Sequence, residues 1–115
     1  MFRFPALATL AGRRPLGGDR EVALAAFVCA HLVAGAASPV ALGAEVRARR
    51  AAGARAWLAA CTLPAPARAA FARVIDAAAQ DDPATLRSAL RGVLDVVGRT
   101  LDGPARSEVE ALIPR

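Results

Sequence analysis

Residues 80–97 read QDDPATLRSALRGVLDVV, and this stretch decides the fold class. Leu86, Leu90, Val93, Leu94 and Val97 recur at i, i+4, i+7, i+8 and i+11, which puts them along one side of an α-helix and does not fit the strict alternation of a half-buried strand. Asp82 followed by Pro83 is a start signal: a side-chain acceptor for the first free amides, then a ring whose fixed φ suits the first turn.

The neighbouring segments repeat this logic. Upstream, Ala67, Phe71, Val74, Ile75 and Ala78 form a second compact stripe, with Arg68, Arg73 and Asp76 elsewhere on the helix and Pro64 and Pro66 marking its approach. Downstream, a short last helix over residues 104–112 buries Val109 and Leu112 and pairs Arg106 with Glu110. Arg91, Asp95 and Arg99 are spaced for i, i+4 pairing on the outer face of the stretch at 80–97.

Toward the N-terminus the pattern is less one-sided. Asp19 is positioned to cap a helix over residues 20–36, in which Leu24, Phe27, Val28, His31 and Leu32 recur at helical spacing. The opposite face, Ala23, Ala26, Ala30 and Ala34, would admit another helix closely. Small or apolar nearly all round, this helix is expected at the centre of the domain or at a dimer interface. Ser38 and Pro39 suggest the start of a second helix running toward residue 60. Within it Arg47, Arg49, Arg50 and Arg55 fall at roughly 0°, 200°, 300° and 80° around the axis, so they encircle the helix. Such a segment must protrude or break, and Gly53 is the expected break. A turn near residue 37 would bring His31 level with Glu45, and a contact between them is expected to hold the first hairpin in register.

Residues 1–18 read as an N-terminal arm and linker, and residues 19–115 as a single helical domain. The expectation is an all-α fold: a small antiparallel bundle of four main helices plus a short C-terminal helix. Composition agrees. Of the 115 residues 31 are alanine and only 31 are larger apolar residues, Tyr is absent and aromatics are 4% of the chain, which favours helix and leaves a modest core. Apolar content of 56% with 22% charged residues excludes disorder.

All fifteen basic residues are Arg, and the formal net charge is +5. This resembles an anion-binding surface, but Ala, Arg, Gly and Pro are all encoded by G- and C-rich codons, so genome composition explains the same pattern. Residues 22–44 carry no charge and are long enough for a bilayer. The stretch is nonetheless rich in alanine, contains His31 and is interrupted by Gly35 and Ser38-Pro39, with Arg on both sides, so no membrane span is favoured. Arg13-Arg14 and the triplet Ala34-Gly35-Ala36 hint at a secretory signal that Asp19 and Glu21 interrupt. Two cysteines are too few for a disulfide framework, and a hairpin turning near residue 37 separates Cys29 from Cys61 by roughly 22 Å, so free thiols in a reducing bacterial cytoplasm are expected.

Catalytic signals are lacking. Cys29 and His31 point about 200° apart on a helix and cannot share a metal ion. One His leaves little for nucleophilic catalysis, and Gly12-Arg13-Arg14-Pro15-Leu16-Gly17-Gly18 lacks the ending of a phosphate-binding loop. No enzyme, cofactor or metal site is therefore expected. Two surfaces stand out. Phe2, Arg3 and Phe4 would be exposed apolar residues unless they pack on the domain or on a partner. Arg47, Arg49, Arg50, Arg55 and Trp57 could engage phosphate and base, or simply form a solvated helix. The expected function is a non-catalytic protein–protein interaction module: a subunit or adaptor that binds a protein partner or itself as a homo-oligomer. The alternative is an Arg-rich nucleic-acid-binding accessory protein.

Overall fold

Apolar stripes place most of the helices where the sequence leads one to look, although the helix expected to be capped by Asp19 begins already at Gly18. The computed structural model describes residues 4–11, 18–36, 43–80, 82–101 and 103–114. Among the described residues there are six α-helices and no strand: α1 (Pro5–Ala11), α2 (Gly18–Ala36), α3 (Ala44–Ala60), α4 (Ala65–Ala79), α5 (Pro83–Val97) and α6 (Gly103–Glu110). The Cα radius of gyration is 13.1 Å, close to the roughly 13 Å of a compact unit of about this length.

The centre of the molecule is α4, which touches α2, α3 and α5. Pro66 stands in its first turn, where a missing N–H leaves nothing unsatisfied. Its stripe is buried as the periodicity implies, with Phe71, Val74 and Ile75 almost wholly removed from water. Leu90, Val93 and Val97 of α5 close over it, while Leu86 and Leu94 are half-buried.

At the start of α5, Asp82 is the N-cap residue, and its carboxylate accepts from the Ala84 N–H at 3.1 Å and the Thr85 hydroxyl at 2.5 Å. The Thr85 hydroxyl foremost, then the backbone amides, hold the Asp82 carboxyl below the ordinary carboxylate value. A depressed folded-state value means the cap stabilises above the ordinary pKa and fades as pH falls through the lowered one. Asp82→Ala should therefore be less stable than the parent at neutral pH, and urea unfolding at a series of pH values should show the difference shrinking below about pH 4.

The ion pairs observed are Glu45–Arg49, Arg55–Asp76 and Arg106–Glu110. Arg91, Asp95 and Arg99 are exposed and, among the described residues, form no ion pair, contrary to their spacing. Exposed pairs of this kind contribute only a few tenths of a kcal/mol, too little to order three long or solvated side chains.

Two readings of the N-terminal half need correction. Part of the arm is helical: α1 lies against α2 and α6, with Leu7 fully buried and Phe4 buried. Seven residues cannot sustain a helix in water. This one is held from outside by Glu108 of α6, whose carboxylate accepts the Ala6 and Leu7 N–H groups at 2.9 Å each, so its two oxygens satisfy amides left open at a helix start. The beginning and end of the chain are thus tied together, and Arg87 Nε adds a bond to the Pro114 carbonyl at 2.8 Å.

The second correction concerns α3. It does not break at Gly53 but runs unbroken from Ala44 to Ala60, with Gly43 as N-cap residue; Ser38 and Pro39 lie outside the described residues. The other half of that expectation stands, since the helix protrudes and buries only Ala51, Ala54 and Leu58. An exposed glycine costs about 1 kcal/mol in a helix, which alanine-rich flanks tolerate. A Cβ at Gly53 would meet open space. Gly53→Ala should accordingly raise the unfolding free energy by about 0.5–1 kcal/mol, read as a higher urea midpoint at unchanged slope.

Candidate interaction cleft

The orientation of α2 creates the site. Its buried residues are Val22, Ala23, Ala25, Ala26, Cys29, Ala30, Val33 and Ala34, so the small face turns inward. The stripe of larger residues is not the buried one. Leu24, Phe27, Val28 and Leu32 are only partly covered and His31 is exposed. Small side chains let two helix axes approach closely, and the inward alanines permit this between α2 and its neighbours α1 and α4. The consequence is an apolar face of α2 with incomplete cover.

On one side of that face stands α1. The Phe4 ring meets His31 edge-on with centroids 5.1 Å apart, and Phe27 meets the same imidazole at 4.5 Å. On the other side stands α3, anchored chiefly on α4, where Arg55 reaches Asp76 with Nη2 at 2.6 Å and Nε at 2.7 Å. Both partners of that pair are about half exposed, so it guides α3 more than it stabilises it. Between α2 and α3 lies a cleft of about 370 Å³ lined by Val28, His31 and Leu32 from α2 and by Arg50, Gly53 and Trp57 from α3. Trp57, the only tryptophan of the chain, is half-buried there.

The arginines singled out in the sequence separate into two kinds. Arg49 is bound to Glu45 at 3.3 Å and Arg55 to Asp76. Arg47 and Arg50 have no carboxylate within ion-pair distance among the described residues. The Arg50 guanidinium lies over Gly35, where a Cβ would come within 3.2 Å of Nη1, at the end of α2 where a cation is favoured by the carbonyl dipoles. Nε of Arg47 is buried and has no hydrogen-bond partner.

No match emerges from comparison of the chain with family models, curated proteins or solved structures. The site must be judged on its own chemistry. The structure brings Phe4, His31, Arg50 and Trp57 around one α2 face. Phe2 and Arg3 lie outside the described residues. Phe4 is committed to its own chain, buried against α2.

The expected His31–Glu45 contact does not form, because α3 begins at Ala44 and the shifted register places Arg50 and Trp57, not Glu45, opposite His31. Glu45 bends to Arg49 instead. Both cysteines are free. Burial pushes the Cys29 thiol up to about 12. Partial burial raises Cys61, with the Glu21 carboxylate adding to this and Arg68 opposing it. Neither is an activated nucleophile. Among the described residues no group of three His, Cys, Asp or Glu side chains converges as a metal site, and no helix is long and apolar enough to cross a membrane.

A second concavity, about 500 Å³, lies between α4 and α5. Small residues such as Ala70, Ala77, Ala89 and Gly92 line it together with the polar Arg73, Asp76, Gln80, Thr85 and Ser88. Of these, Asp76 is bound to Arg55 and Thr85 to Asp82. Glu108, the residue that closes the fold onto α1, carries no signal in the sequence, because its partners are 101 and 102 residues away.

Proposed function

We propose that this chain is a non-catalytic protein-interaction module whose docking surface is the cleft between α2 and α3. The observation that carries the reading is the inverted α2: a domain with few large apolar residues leaves Leu32, Val28 and Phe27 only partly covered beside its one tryptophan. Partly covered aromatic and aliphatic side chains in a concave site are typical anchors for a partner. An antiparallel arrangement of α2 and α3 is supported at both ends of the pair, where the Arg50 side chain lies at Gly35 and Glu21 acts on Cys61. Two free thiols suit a reducing compartment such as a bacterial cytoplasm.

The nucleic-acid reading draws on Arg47 and Arg50, but Arg49 and Arg55 are engaged by Glu45 and Asp76. Phosphate contacts from Arg47 and Arg50 alone would give log K against log salt a slope of only roughly −2. The test compares the parent with Leu32→Ala and, as a remote control, Val96→Ala on α5, using full-length chain immobilised in lysate of the source organism. A protein retained by parent and control but lost by Leu32→Ala, with helix content unchanged, is expected. Nuclease-sensitive retention with a steep salt slope would replace this reading by the nucleic-acid one. Self-association is checked by light scattering over a hundredfold dilution, where a concentration-dependent mass sensitive to Leu32→Ala would make a second copy the partner.

A further inference from the structure

The shape of the cleft and the charge around it constrain what can occupy it. Its walls are two helices, and the lining residues run from Arg50 to Trp57 on α3, about 10 Å at 1.5 Å per residue, and from Val28 to Leu32 on α2. An occupant lying along them meets them over about two helical turns. Its interior, Val28, Leu32 and Trp57 with the open position at Gly53, has room for large apolar side chains and offers them few hydrogen-bonding groups. This is the setting of a helix laid in a groove through residues at i, i+4 and i+7.

Charge is concentrated at one end. Arg47 and Arg50 stand near the start of α3 and the finish of α2, with no carboxylate in ion-pair distance among the described residues. A guanidinium is matched best by a carboxylate; the buried Nε of Arg47 is closed to one, which leaves its other N–H groups to make the contact. At the other end of the α2–α3 pair Glu21 and Arg68 lie near Cys61 and offset one another. In a twofold dimer with the helices parallel across the seam four arginines would meet, and with the helices antiparallel the Arg50 end of one copy would meet the Cys61 end of the other, where Glu21 and Arg68 offset one another, so a second copy supplies no surplus of carboxylates. Phosphates would meet two guanidinium groups above an apolar floor, leaving Leu32 and Val28 without a role.

We infer that the cleft receives an amphipathic helical segment of another protein, its large apolar side chains entering between Leu32 and Trp57 and carboxylates at one end meeting Arg47 and Arg50. This rests on the docking reading above and adds the chemistry of the partner. Sequence-independent selection tests it: a displayed library of random 16-residue peptides is panned on the full chain. Selected peptides should carry Asp or Glu gathered at one end and large apolar residues at helical spacing. They should bind at least about tenfold more weakly to Trp57→Ala and to the exposed-site variant Arg50→Ala, and weaken with salt. Arg50→Ala keeps the test valid should Trp57→Ala fail to fold.

Neutral or basic peptides that still depend on Trp57 would overturn the acidic partner while leaving the docking site in place. Peptides indifferent to Trp57→Ala and Arg50→Ala, or no selected peptide at all, would overturn both. A concentration-dependent dimer abolished by Arg50→Ala would overturn the proposal in favour of a second copy.

Discussion

Replacing Phe71 by alanine should remove about 3–5 kcal/mol of stability, the largest effect expected of any single substitution. Phe71 is fully buried at the middle of α4, the helix on which α2, α3 and α5 converge. A void of about 10 Å³ beside it is already bounded by Ala26, Cys29 and Ala30 on the α2 side and by Val74, Leu90, Val93, Val109 and Leu112 elsewhere. The alanines of α2 have no side-chain reach with which to refill the space, so a cavity term should add to the lost transfer energy. Domains of this size have about 5–15 kcal/mol in total. Urea unfolding at 25 °C should show a much lower midpoint or no folded baseline. A loss under about 1 kcal/mol would mean that Phe71 does not face the core.

Leu7→Ala should cost about 2–5 kcal/mol, but its consequence is local. Leu7 is the fully buried residue of a seven-residue helix that has no independent stability. When it no longer anchors the segment, the bonds from the Ala6 and Leu7 amides to Glu108 have nothing to hold them in place. Hydrogen exchange should therefore accelerate at residues 6 and 7 far more than at Leu90 in α5, a sub-global opening. Glu108→Ala should open the same segment, and the double variant should lose less than the sum of the two, because both act on one docking event. Equal acceleration across α1 and α5 would show that α1 is no separate unit.

These effects trace which parts of the fold are legible. The stripes of α4 and α5 are readable because each is apolar on one side only: Phe71, Val74, Leu90 and Val93 have no alternative direction to face. The direction of α2 is not readable, since Ala26 and Ala30 compete with Phe27 and Leu32 on a helix that is apolar or small all round. Packing distance decided in favour of alanine. The protrusion of α3 follows from arginines around its whole circumference, but its continuity through Gly53 does not, because one exposed glycine is a small penalty in a helix rich in alanine.

The N-terminal helix depends on Glu108, and local reading has no means of pairing residues 6 and 108. The candidate site was partly visible in Arg50 and Trp57, while His31, Val28 and Leu32 join it only through the register of two helices.

Everything proposed for the cleft requires that α2 turn its alanine face inward, and Cys29 lies on that face. Its thiol is buried against the Phe71 carbonyl and pushed up to about 12, whereas Cys61 is half-buried at the end of α3. The direct measurement is thiol labelling of the native protein with a disulfide reagent at neutral pH, each site followed by mass mapping. Cys61 should label first, and Cys29 should react only at the rate of unfolding or when denaturant is added. If Cys29 instead labels as fast as Cys61 in the folded protein, α2 presents that face to solvent, and the cleft as described does not exist.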